Sequence, residues 1–443
     1  MTDFLMTTKG TAGDVIPLLG IGSALQRRGH TVTLFTHSYF ETLVKKAGLG
    51  FVPLDTAEEF NRFVEDGPLL NEPLGYPPFF QRHILPNVYA DYQILREHCR
   101  STDTVLIGRY MSDLAALMLG EKLGLPLIRL FISAASLAAM PIFEALCAGI
   151  LSDDLNRVRA EVGLPPVRDW GVWLRQTPRC GIAPWADWFA APDPHWPPRT
   201  VPVGFVVHDE TESSPLPDEV QAFLSSRQPP ILISGGTGVF LGAEFYSVAV
   251  EGCRALGCRA LLVSRHENLV PPNLPDQVRW FKSLPFASLM PHVAAVLHHG
   301  GTSTLARALI TGVPQLLLTA GGERPNSAAR LKRLGVSDFL LPPHWQPARV
   351  AEALRQLTSS EAIRARCREL SQRTRATDPA AVACEVIESA LRDPVPLPAT
   401  SPADTAVVSL PSNPLLRMHQ LSPEKRALLE LRLRKKSEEE RKA

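Results

Sequence analysis

Two clusters of residues have the types and spacing to do chemistry. The first is His298-His299-Gly300-Gly301-Thr302-Ser303-Thr304, which ends the apolar run Ala294 to Leu297 and precedes a helix-forming segment. Gly312-Val313-Pro314 and a second apolar run, Gln315 to Leu318, come next, so the order is strand, glycine turn, helix, strand. Such a turn carries backbone N–H groups, hydroxyls and an imidazole to a helix N-terminus, where unpaired amides and the helix dipole attract phosphate. The second cluster is Gly10-Thr11-Ala12-Gly13-Asp14-Val15-Ile16-Pro17, which sets a carboxylate just past an apolar strand at residues 3–8. A carboxylate there either caps the helix that follows, a role that suits Asp, or accepts a proton from a bound hydroxyl.

The elements around these clusters alternate. In the first half, strands are expected at 3–8, 31–36, 51–52, 104–107 and 127–131, with helices at 16–28, 39–47 and 112–123 between them. That rhythm predicts a parallel, doubly wound sheet. It restarts after 207–217: a strand at 231–234 runs into Gly235-Gly236-Thr237-Gly238, followed by helix 243–256, strand 260–263 and a short strand at 279–281. Helices at 347–357, 360–375 and 379–391 close the globular part. The expected organisation is an α/β chain with an N-terminal Rossmann-like domain at 1–206, a linker at 207–217 and a C-terminal Rossmann-like domain at 218–392. A proline-rich spacer at 393–421 and a charged helical tail at 422–443 follow. Residues 55–100 and 135–175 are less regular and hold Tyr76, Phe79, Phe80, Phe143, Trp170 and Trp173. These aromatics either pack the insertions onto the sheet or wall an apolar acceptor pocket.

Bulk properties narrow the function classes. The chain has 443 residues, enough for two domains of ordinary size, and 45% of them are hydrophobic. A net charge of +1 gives no electrostatic case for nucleic acid or an anionic membrane as a partner. MTDFLMTTKG lacks a basic start and a long apolar stretch, and no run of 18 apolar residues exists, so neither signal peptide nor membrane span is expected. The seven cysteines contain no C-x-x-C and read as reduced residues of a cytoplasmic protein.

HHGGTST, GVPQLLL and the acidic residue before Arg324-Pro325 together resemble the donor half of family 1 glycosyltransferases. The resemblance is to the bacterial branch that holds rhamnolipid rhamnosyltransferases, sterol glucosyltransferases and antibiotic glycosyltransferases, and it runs over roughly residues 3–392. The resemblance implies the GT-B architecture, two Rossmann-like domains facing across a cleft. It also implies an inverting transfer of a hexosyl or deoxyhexosyl group from a nucleoside-diphosphate sugar to a hydroxyl of a lipophilic acceptor. Lipid, lipopeptide and polyketide acceptors all remain open.

That reaction needs a base for the acceptor hydroxyl, stabilisation of the leaving diphosphate and orientation of the sugar. Relatives carry G-x-x-G-D or G-x-x-G-H at the first cluster with the last residue as base, so the resemblance gives that role to Asp14. Arg109 and His83 are supporting candidates by residue type alone. His299, rather than His298, matches the family histidine beside the diphosphate, with Gly301, Thr302, Ser303 and Thr304 as the cradle; His298 is expected to pack under the turn. Relatives place Asp-Gln before the next helix, where this chain has Glu323-Arg324. Glu323 is suited to sugar hydroxyls, whereas Arg324 adds charge and five donors and has the reach for phosphate. Gly235, Gly236 and Thr237 are expected near diphosphate or acceptor, and Ser283 and Leu284 at the nucleobase.

No D-x-D ends a strand, and Asp153-Asp154 reads as a helix start, so no metal and no cofactor beyond the nucleotide sugar is expected. A dinucleotide oxidoreductase would show G-x-G-x-x-G and an acidic end to its second strand, which this chain lacks. A sugar epimerase on the same scaffold leaves the apolar insertions unexplained. A catalytically degenerate homologue that activates a partner in natural-product biosynthesis is the alternative, raised by Glu323-Arg324 and by the tail. The tail segment LSPEKRALLELRL resembles the lead-in to condensation domains of nonribosomal peptide synthetases, which implies docking to such an assembly line.

Overall fold

The structure is a computed structural model and describes residues 1–72, 75–101, 103–208, 214–225 and 228–392. Both expected tail segments, 393–421 and 422–443, lie outside the described residues, and so does the docking expectation placed on them. Residues 209–213 of the expected linker lie outside as well.

Seven parallel strands form the first sheet: β1 (Asp3–Thr7), β2 (Thr31–Thr36), β3 (Gly50–Pro53), β4 (Thr104–Arg109), β5 (Leu127–Leu130), β6 (Cys180–Ala183) and β7 (Thr200–Pro202). Their order is β3-β2-β1-β4-β5-β6-β7. Six more form the second: β8 (Ile231–Ser234), β9 (Ala260–Val263), β10 (Val278–Phe281), β11 (Ala295–His298), β12 (Gln315–Leu318) and β13 (Ser337–Leu340), ordered β10-β9-β8-β11-β12-β13. Parallel strands need helical crossovers that cover both faces. The inner strands are accordingly apolar runs buried along most of their length, such as Phe4-Leu5-Met6 and Leu316-Leu317-Leu318.

Each strand order reverses once, between β1 and β4 and between β8 and β11. Loops leaving adjacent strands at such a reversal diverge and open a crevice. The loops at one crevice carry Asp14 and Arg109; those at the other carry Gly236, Thr237 and the His299 turn. Strands β6, β7 and β13 were not expected from the sequence. Cys180-Gly181-Ile182-Ala183 and Thr200-Val201-Pro202 are short and hold a glycine and a proline, and Ser337-Asp338-Phe339-Leu340 alternates too briefly to register.

The domains also share apolar contact. The helix Thr302–Thr311 lays Leu305, Ala306 and Leu309 on the core built from the first sheet. The final helix, Pro379–Arg392, returns to the first domain, where Arg28 and His30 pair with Glu388 at 2.9 and 3.6 Å.

Candidate active site

The helix Ala12–Arg27 begins one turn earlier than its apolar pattern indicates, with Thr11 as N-cap and Asp14 as its third residue. Asp14 therefore caps from inside the helix: its Oδ2 accepts the Thr11 N–H at 2.7 Å. Oδ1 meets the Arg109 guanidinium at 2.7 Å. Arg109 ends β4, the neighbour of β1, so the sheet order itself delivers the pair. His83 goes elsewhere and bonds Asp66 at 2.8 Å. The loop before Asp14 is braced from behind, since His37 Nε2 accepts the Gly10 N–H at 2.9 Å and its Nδ1 faces Asp55.

In the second domain, His298 ends β11 with none of its surface exposed. Its Nε2 faces Gln315 Oε1 at 3.0 Å and its Nδ1 accepts the Gly300 N–H at 3.2 Å. That pattern assigns the proton to Nε2. Burial lowers its pKa to about 4. It fastens the turn from below.

The next residue faces the cleft. A Cβ on Gly236 or on Gly301 would fall 2.6 Å from the His299 Cε1, so both glycines are required by the ring between them. Gly236 and Gly300 also hold φ of +78° and +96°, a region open to glycine at little cost. Burial, then the Arg324 guanidinium and His298, hold the His299 imidazole well below its usual range. It is therefore neutral and has one N–H to donate. His299 Nδ1 and Ser303 Oγ are buried without a hydrogen-bond partner. Such orphaned groups in a native fold call for a ligand or water.

The two turns meet. Ser303 Oγ lies 4.0 Å from where a Cβ on Gly13 would stand, so the helix N-termini at Ala12 and Thr302 are side by side. Thr237 Oγ1 accepts the Ala12 N–H at 3.2 Å, and Ser133 Oγ donates to Glu323 Oε2 at 2.7 Å. Both bonds cross from one domain to the other.

Between the domains lies a cavity of about 1350 Å³. Asp14, His299, Gly236, Thr237, Ser283, Leu284, Gly301, Thr302, Ser303, Thr304, Glu323 and Arg324 all line it. Gly235 does not; it is pressed against the Tyr246 ring. The far wall is apolar, with Tyr76, Phe79, Phe80 and Phe143 facing in. Trp170 and Trp173 do not line the cavity and belong to the packing reading of the insertions. They stack edge to face at 5.6 Å, and the Trp173 Nε1–H donates to Glu121 at 2.7 Å.

Tyr76 joins the aromatic wall, Arg265 also lines this space, and Ser133 holds the Glu323 carboxylate; residue type alone did not disclose the last two. Burial and the Glu323 carboxylate raise the Tyr76 phenol, so it stays protonated. Arg265 stacks across the domains on the Tyr39 ring at 4.1 Å. The available signal was position: Ser133 follows β5 and Arg265 follows β9, at the carboxyl ends where such crevices open. Among the described residues no three of His, Cys, Asp and Glu converge to hold a metal ion, and no helix is long and apolar enough to cross a membrane.

Two facing Rossmann-like domains, with a phosphate-type turn on one and a carboxylate on the other, define a GT-B sugar transferase scaffold. Residues 4–134 match the glycosyltransferase family 28 N-terminal domain, and residues 261–389 match the erythromycin biosynthesis protein CIII-like C-terminal domain. The O-mycaminosyltylonolide 6-deoxyallosyltransferase of Streptomyces fradiae is 28% identical over 414 residues, covering 86% of this chain and 96% of that protein. Glycosyltransferase GtfC of Amycolatopsis orientalis is 28% identical over 425 residues, with 87% and 97% covered. Among solved structures, the glycotransferase of kitacinnamycin has a TM-score of 0.69 at 19% identity, over 88% of this chain and 99% of that one. Spinosyn rhamnosyltransferase SpnG complexed with thymidine diphosphate has a TM-score of 0.63 at 20% identity, with 87% and 100% covered. The chain belongs to the family 1 glycosyltransferases of GT-B fold and is of their antibiotic and natural-product type.

Proposed function

We propose that the protein is an inverting transferase that moves a hexosyl or deoxyhexosyl group from a nucleoside-diphosphate sugar to a hydroxyl of a lipophilic acceptor. One observation carries this reading: the paired Asp14 carboxylate and the His299–Ser303 turn line the same cavity, with the helices behind them in contact. In the proposed step Asp14 takes the proton of the acceptor hydroxyl, whose oxygen forms a bond to the anomeric carbon on the face opposite the phosphate. The carbon–phosphate oxygen bond breaks, and its electron pair leaves on the diphosphate. The His299 N–H, the Ser303 and Thr304 hydroxyls and the free amides at the helix start receive that charge. These groups replace a metal ion in the proposal.

The apolar wall that Phe79, Phe80 and Phe143 back supports a large, greasy acceptor, because seating one there would remove the exposed Ile142 of the same wall from water. Relatives named for a 6-deoxyallosyl and a rhamnosyl transfer, one of them bound to thymidine diphosphate, make TDP-deoxysugars the first donors to try. The test is release of nucleoside diphosphate and of glycoside from TDP-, UDP- and GDP-sugars with macrolide, lipid and lipopeptide alcohols. The anomeric configuration of the product reads inversion. No diphosphate release with any donor and acceptor, in chelator or in added divalent metal, would sink the proposal and leave the helper role.

A further inference from the structure

Arg324 occupies an unusual place for a cation. It is 8% exposed, at the first turn of the helix Arg324–Arg333, and it opens on the cavity. Its Nη1 donates to the Ala320 carbonyl at 3.1 Å, and its guanidinium carbon lies 4.6 Å from the centre of the Phe240 ring. Among the described residues no carboxylate is within ion-pair distance of it. The adjacent Glu323 turns its carboxylate to Ser133 instead. A nearly buried guanidinium with five donors, one of them satisfied by a carbonyl and one face on an aromatic ring, is a costly arrangement without an anion. Gly300 explains how close it comes to the turn: a Cβ there would stand 3.2 Å from the Arg324 Cβ. The same closeness makes Arg324 one of the charges acting on His299.

Resting on the nucleotide-sugar reading above, the geometry points to Arg324 as the cation that binds the diphosphate of the donor and receives its charge as the sugar departs. The neutral His299 and the amides of the turn supply dipoles alone, and a departing diphosphate gains a full charge. Of the cations that line the cavity, Arg324 is the one packed against the glycine of the His299 turn, and it can meet that gain with a full positive charge.

Calorimetric titration of the full chain with TDP, UDP, GDP, inorganic pyrophosphate and thymidine tests this, on wild type, Arg324→Gln and Arg324→Lys. Arg324→Gln should weaken the preferred nucleoside diphosphate and pyrophosphate by about ten- to a hundredfold and leave thymidine unchanged, with Arg324→Lys between. Relief of an unpaired buried charge should leave the ligand-free Arg324→Gln protein melting no lower than wild type, while its ligand-induced rise shrinks. Arg324→Met provides a second neutral side chain of similar length if Gln fails to fold. Diphosphate affinities within twofold of wild type in both neutral variants overturn the assignment. Arg324-dependent binding of pyrophosphate without binding of any nucleotide would keep the anion site and remove the nucleotide-sugar reading. No binding of any probe by the wild type would remove both.

Discussion

Asp14 Oδ1 and Arg109 Nη2 meet at 2.7 Å where β1 and β4 separate. The other oxygen of the same carboxylate accepts the Thr11 N–H. One carboxylate thus fixes the start of its helix and is held by a guanidinium while it faces the cavity. Both rotamer freedom and direction are constrained, which is how a base is kept at its post.

The first prediction separates base from brace. Asp14→Asn keeps the bond from Thr11 and removes the proton acceptor. Turnover should fall by about 10²–10⁴, with nucleoside diphosphate affinity within about threefold. Arg109→Met should cost roughly tenfold in turnover by releasing the carboxylate, and the double variant should be no slower than Asp14→Asn alone. Additive losses would mean that Arg109 works independently of Asp14. Both side chains retain some exposure, so stability should change less than for a fully buried pair.

How far the sequence discloses this site depends on what each residue reports. The glycine turn was legible because Gly300 and Gly301 are demanded by backbone and ring, and His298, at the end of an apolar strand, reads correctly as packed beneath it. Gly235 misleads because a glycine facing Tyr246 looks, as a letter, like a glycine facing a ligand. Trp170 and Trp173 stayed open between two readings for a related reason: an aromatic in an insertion has the same composition whether it walls a cavity or stacks on its neighbour. Residue type offered both Arg109 and His83 as partners of Asp14, and the choice between them was hidden because it depends on strand order, which joins residues 95 positions apart. The fold rhythm survives such gaps, and only short strands such as β7 escape it.

The second prediction concerns acid stability. His298 is wholly buried with a pKa depressed from 6.5 to about 4, and burial depresses His299 in the same direction. Between those values the unfolded chain binds a proton that the folded one refuses, so stability falls as pH drops and is flat above about 6.5. Acidification from about pH 7 to about pH 5 should cost roughly 2 kcal/mol through His298 alone, at ~1.36 kcal/mol per unit. Urea midpoints for wild type and His298→Gln check this. The variant loses stability at neutral pH, through imperfect replacement of the bonds to Gln315 and Gly300, but should show a shallower acid slope. Parallel slopes would assign the acid loss to other groups.

The third prediction addresses the acceptor wall. Ile142 is 41% exposed and lines the cavity on the helix Met140–Gly149, beside the buried Phe143. An exposed isoleucine on a cavity rim contributes little to folding, yet a greasy acceptor seated there would remove it from water. Ile142→Lys should therefore leave the melting temperature and the nucleoside diphosphate affinity unchanged. It should raise the acceptor KM by about ten- to a hundredfold, the cost of about 1.5–3 kcal/mol of lost apolar burial. The split between acceptor and donor constants is the informative readout, since a general loss of order in the cleft would move both. An unchanged acceptor KM would place the acceptor elsewhere along the cavity, away from the face that Ile142 and Phe143 share.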